Sequence, residues 1–126
     1  TGMYDQMGDE IFAYVRSGNA GTLLGYTPLL WGSYTQTHKY REEARLQSFR
    51  RPQNTDRRLR LERAAAESGL TINQVIYRWM IQSDPQVIPL VAVSRMEHLK
   101  EDLAAAELEL CRQSMDLLNW PIDPIE

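Results

Sequence analysis

The apolar positions of this chain change period several times, and each change predicts an element. From Asp9 to Ser17, Ile11, Phe12, Tyr14 and Val15 give a helix one apolar side, and Gly18 and Asn19 are good stop residues. Gly21 to Thr27 reads as a short buried strand, ended by Pro28. Residues 30–55 carry no period and predict a long irregular connection. Asp56 to Ser68 is a helix rich in Ala and Leu, closed by Gly69. Thr71 and Gln74 form a capping box, in which the hydroxyl takes a backbone N–H and the amide reaches back to another. Ile72, Val75, Ile76, Trp79 and Met80 then make a full core-facing stripe until Asp84-Pro85 ends it. The apolar run Val87 to Val93 predicts a second strand. Ser94 and Glu97 predict a second capping box, and Met96, Leu99 and Leu103 one face of a helix over 95–106. Residues 112–118 predict a last short helix before an extended tail from Trp120 to Pro124.

The junction at Ser94 carries the most chemistry. A strand that runs straight into a capped helix puts free backbone N–H groups at the carboxyl end of the strand. That is a ready site for a phosphate or carboxylate, and Arg95 adds a positive charge beside it. Strand–helix connections that bind nothing share the same pattern, and this stretch alone leaves both readings open.

Composition narrows the class without naming it. A chain of 126 residues makes one domain, and 43% apolar with 25% charged residues is the balance of a globular protein. A net charge of −3 gives no general pull toward nucleic acid or a membrane. No apolar run has bilayer length, and the N-terminal residues lack the pattern of a signal peptide. A single cysteine, Cys111, excludes an internal disulfide framework and a Cys-based metal cluster. A cytoplasmic location is expected. The start at Thr1 suggests a fragment or a processed product. Only His38 to Arg63 is biased in charge, with nine Lys and Arg against four acids. It could meet a phosphate, but interspersed acids are the mark of a solvated face.

The order of elements is helix, strand, helices, strand, helix, helix. Strands alternating with helices indicate a parallel sheet with right-handed crossovers. Both strands are apolar along nearly their whole length, as strands covered on both faces are. Two parallel strands leave two open edges and little core. They are expected to be the last two strands of a larger sheet or barrel.

Three segments, GTLLGYTPLL, RRLRLERAAAESGLTINQVIYRWM and VIPLVAVSRMEHLKEDLAAAELEL, resemble in order and spacing the C-terminal portion of aldo-keto reductases, from about Met7 to Leu118. The resemblance implies an α/β fold, the C-terminal portion of a TIM (β/α)8 barrel. This chain would carry strands seven and eight, the helices after strands six, seven and eight, and the tail. It is incomplete as a barrel on its own. In such barrels the active site lies at the carboxyl ends of the strands, often with a phosphate site after strands seven and eight.

The resemblance also implies roles. Tyr26 matches the aromatic that stacks on the nicotinamide ring, and Thr27, Pro28 and Leu29 the loop at the cofactor pyrophosphate. Ala92, Val93, Ser94 and Arg95 match the phosphate-binding turn, and His98, Glu101 and Asp102 the positions that hold the adenosine end. The chain departs from the family at three of these. Ala92 stands where Gly or Lys is more usual, His98 where Arg or Gln is, and Asp102 where Asn is. Asp102 would repel a 2′-phosphate and Arg95 would offset it, so NADP(H) is implied with NAD(H) kept open. The family's catalytic Asp, Tyr, Lys and His lie on earlier strands, so no catalytic residue is assigned here.

Other candidates weigh less. His38-Lys39-Tyr40 is consecutive, and consecutive loop residues rarely converge on one point. Cys111 precedes the last helix, where the family has a Ser or Thr cap, which favours a structural role. Trp31 could line a substrate pocket, Trp79 lies on the core stripe and Trp120 on the tail that shapes the pocket in the family. No metal-ligand cluster, P-loop or nucleophile elbow is present. The expected function is carbonyl reduction by hydride transfer from NAD(P)H to an aldehyde or ketone, with this segment supplying cofactor loops. By itself the chain is expected to be inactive, to need the N-terminal half of the barrel or to self-associate. The alternative is a non-catalytic remnant that binds nucleotide or a partner protein.

Overall fold

The computed structural model describes residues 9–19, 21–35 and 52–119. Helix α1 spans Asp9–Arg16 and strand β1 Leu23–Gly25, followed by a 3-10 turn at Leu30–Gly32. Helix α2 spans Pro52–Ser68, α3 Ile72–Gln82, β2 Val87–Pro89, α4 Met96–Ala104 and α5 Arg112–Asn119. The strands pair in parallel, with Leu23 opposite Val87, Leu24 opposite Ile88 and Gly25 opposite Pro89. A parallel pair needs a crossover, and α2 and α3 lie within the long one here.

The core sits on one side of the pair. Leu61 and Ala64 of α2, Val75, Ile76 and Met80 of α3, Val87 of β2 and Leu110 are buried together. Leu23, Leu29, Ile72, Trp79, Met115 and Leu118 pack around them. The predicted α3 stripe is therefore the centre of the fold. Trp79 sits at its edge and donates its indole N–H to Asn119 Oδ1 at 2.7 Å. On the other side of the sheet, Leu24 and Ile88 are 58% and 44% exposed. Only one sheet face is covered, so the expectation of two covered faces fails for the described residues.

Several local signals hold. Thr71 caps α3 and its capping box with Gln74 is complete. Gly69, at φ 69°, takes the left-handed conformation that closes α2, with Leu70 N–H returning to Ala65 O at 3.2 Å.

Four expectations are corrected. Helix α2 starts at Pro52 and not Asp56, because proline suits a first turn whose N–H groups have no partner. Strand β2 stops at Pro89 and does not reach Val93. Its last bond is Leu90 N–H to Gly25 O at 2.9 Å, after which β1 turns away through Thr27 at φ 49° and leaves no ladder. The Ser94–Glu97 capping box does not form. Arg95 is the cap residue, without a side-chain bond, so Glu97 is the second helical residue and cannot reach back. Finally, Met96 and Leu103 are 61% and 63% exposed, and α4 buries Asp102 instead. His38-Lys39-Tyr40, most of the basic stretch and the tail from Trp120 lie outside the described residues.

Candidate functional site

The carboxyl ends of β1 and β2 open on the same edge, tied by the Leu90–Gly25 bond. Two loops leave from there. The first begins at Tyr26, which is 77% exposed beside the last paired residue of β1. Thr27, Leu30 and Trp31 take φ values of 49°, 47° and 54°. This left-handed region costs a residue with a side chain roughly 1–2 kcal/mol, and such outliers cluster at ligand sites. Bonds from Leu30 N–H to Thr27 O (3.0 Å) and Gly32 N–H to Leu29 O (2.9 Å) hold the loop in two successive turns. Leu29 anchors it by packing on the core. Ser33 Oγ is buried next to these turns without a hydrogen-bond partner among the described residues.

The second loop, Leu90 to Arg95, is exposed along its whole length. Ala92, Val93, Ser94 and Arg95 all face solvent. The absence of a side-chain cap at Arg95 leaves the first N–H groups of α4 open to an outside acceptor. His98 is exposed one turn further along the same helix.

Glu101 and Asp102 are placed differently. Both carboxylates turn toward α3. Glu101 Oε1 accepts a hydrogen bond from Thr71 Oγ1 at 2.5 Å, and Asp102 Oδ2 accepts one from Tyr77 OH at 3.4 Å. Asp102 is only 9% exposed. Burial first, and the Glu101 charge second, raise its carboxyl above the ordinary range, while the Tyr77 bond and His98 act the other way. Burial and the adjoining carboxylates push the Tyr77 hydroxyl up in turn. Beside this pair, α3, β2 and α4 enclose an open groove of about 400 Å³, lined by Ile81, Ile88, Val91 and Leu103. It runs along the flank of β2 and reaches the second loop at Val91.

The structure thus brings Tyr26 to Leu29 and Ala92 to Arg95 to one edge, and turns Glu101 and Asp102 to a neighbouring helix. Tyr77 escaped the sequence reading because it stands one position past Ile76 in an otherwise apolar stripe. Its signal was the polar set Gln74, Arg78 and Gln82 flanking it at helical spacing. Cys111 occupies the capping position of α5. Its Sγ lies 3.4 Å from Ser114 Oγ, and bonds from Ser114 lower the exposed thiol. Among the described residues no group of His, Cys, Asp and Glu could hold a metal ion.

A parallel strand pair with helices in its crossover is an α/β arrangement. Residues 3–120 match the model of the aldo/keto reductase family, and the chain belongs to that family. A thermostable aldo-keto reductase, crystallised with the inhibitor epalrestat, superimposes with a TM-score of 0.62 at 27% identity. That match covers 88% of this chain and 33% of the other. Pyridoxine 4-dehydrogenase of Escherichia coli (strain K12) is 32% identical over 59 residues, 47% of this chain and 21% of that enzyme. The chain thus spans about a third of the solved reductase it matches, and the two strands among the described residues do not close a barrel.

Proposed function

We propose that this chain supplies the cofactor-holding section of an NAD(P)H-dependent carbonyl reductase, corresponding to strands seven and eight of a TIM barrel. One observation carries the reading. Two loops leave the same carboxyl edge of a parallel pair, one beginning with an exposed aromatic and the other leading to a helix end without a side-chain cap. The bound cofactor would supply a hydride for an aldehyde or ketone. The residues at this edge fit it in part. The Tyr26 ring offers a face for the nicotinamide, and the Thr27–Leu29 turns a fixed backbone for the pyrophosphate. Ala92, Val93 and Ser94 give a side-chain-poor approach to the α4 N–H groups, and Arg95 a cation beside them. His98 is within reach of an adenosine on the same helix face. Glu101 and Asp102 fit less well, since both carboxylates already have partners on α3.

The proton donor for the carbonyl would come from strands outside this section, so activity is a property of the completed barrel. The open Leu24 and Ile88 face supports a partner there: the N-terminal half of the barrel or a second copy of this chain. Arg95 provides the test. Among the described residues it has no acidic partner, so its charge is available to a 2′-phosphate. Arg95→Ala is expected to weaken NADPH more than NADH, measured by fluorescence titration of each. Equal losses would remove the support for NADP(H).

A further inference from the structure

Helix α4 is attached to the fold in an unusual way. Its large apolar residues Met96 and Leu103 are mostly exposed, Leu103 at the open groove, and Leu99 is only half-buried. Apolar packing therefore does little to set its angle. A polar seam does so instead. Along α3 and its cap, Thr71, Gln74, Arg78 and Gln82 recur at helical spacing on one side. Each bonds to α4 or to the segment after it. Thr71 Oγ1 donates to the Glu101 carboxylate and Gln74 Nε2 to the Glu101 carbonyl at 3.2 Å. Arg78 Nη1 donates to Ala106 O at 3.1 Å. The Gln82 amide donates to Leu110 O at 3.1 Å and accepts from Leu110 N–H at 2.8 Å. Tyr77 OH adds its bond to the buried Asp102.

We propose that Tyr77, Thr71 and Gln74 are positioning residues, which hold Glu101 and Asp102 against α3 and so set where the 92–95 turn presents its N–H groups. The proposal rests on the cofactor reading given above and reassigns Glu101 and Asp102 within it. They act as the attachment points of α4 and not as contacts to adenosine. The lever is short. From Asp102 back to Met96 the helix runs about 9 Å at 1.5 Å per residue, so a tilt at the seam displaces the turn directly. A carboxylate shared with a neighbouring hydroxyl is also a poorer acceptor for an outside amino group, since part of its lone-pair capacity is taken.

The experiment compares four forms of the chain: unaltered, Tyr77→Phe, Glu101→Ala and Glu101→Gln. Backbone amide exchange is followed without cofactor over 96–104 and, as a folding control, over α3. NADPH is then titrated by fluorescence with the earlier strands of the family barrel supplied in trans to each form. Tyr77→Phe and Glu101→Ala should each speed α4 exchange by about five-fold, what one net hydrogen bond is worth, while α3 keeps its protection. Glu101→Gln retains an acceptor for Thr71 and should restore slow exchange. NADPH affinity should fall in the two loosened forms. If α4 exchanges at the unaltered rate in both, the proposal is overturned, and a loss of NADPH in that case would place Glu101 on the adenosine. If the unaltered chain, completed with the earlier strands of the family barrel, takes up no NADPH, the cofactor reading fails, and the exchange comparison still decides the seam.

Discussion

Asp102 is a carboxyl that the fold holds above its ordinary value of 3.8. Glu101 beside it pushes the same way, and Tyr77 and His98 oppose. Between the ordinary and the raised value, the folded chain binds more protons than the unfolded chain. Stability therefore falls as pH rises through that window, and the whole deficit is present above the folded value. Asp102→Asn should remove this slope. Its denaturation midpoint should exceed that of the unaltered chain near neutrality and converge with it below the ordinary value. A variant that tracks the unaltered chain at every pH would show that Asp102 is not desolvated. Tyr26 gives a second test at this scale. If its ring meets the nicotinamide, Tyr26→Ala should cost cofactor binding about 1 kcal/mol and Tyr26→Phe little, by titration in the completed protein.

Strand and helix meet most closely at Gly25. A Cβ there would fall 2.2 Å from Met80 Cε and 3.1 Å from Val87 Cγ1. The methionine end can swing aside, but the valine is fixed in the strand. Gly25→Ala is expected to destabilise the chain by about 1–3 kcal/mol in denaturant, as overpacking does. The elements also show what the residues could and could not foretell. The Thr71–Gln74 box was legible because both partners lie in the helix they start. The Ser94–Glu97 pair fits the same pattern, yet the helix begins one residue later. Glu101 and Asp102 of that helix bond to Thr71 and Tyr77, contacts made across more than twenty residues that no local pattern carries. The length of β2 was hidden for a like reason, since it is set by the bend in β1. Periodicity marked the apolar stripe of α3 and missed its polar side, because hydrogen bonds to a later segment leave no hydrophobic trace.

For the whole molecule the decisive feature is coverage. Among the described residues one sheet face carries the core and the other presents Leu24 and Ile88, and Leu90, Val91 and Val93 of the following loop are exposed as well. An apolar surface of that kind draws partners. Residues 1–126 should sediment as self-associated species whose size grows with concentration, and should not reduce aldehydes with NADPH. Supplying the earlier strands of the family barrel in trans should dissolve that association. A monomer at all concentrations would mean that something within the chain covers the face. The identity of the elements was readable from the sequence, because each carries its own period and stop residues. Which face stays open was not readable, since alternation over three residues is too short to tell inside from out.

The turns after β1 have a consequence for how this chain would respond to directed evolution. Thr27, Leu30 and Trp31 hold a backbone shape that glycine adopts freely. Glycine loses about 0.5–1 kcal/mol more in chain entropy, against roughly 1–2 kcal/mol of relief at each position. A library randomised at 27, 30 and 31 and sorted for thermal survival should therefore drift toward glycine. The same library sorted for capture of an immobilised dinucleotide should keep side chains there. Two pools that diverge would mark this loop as a place where the chain trades durability for a shape.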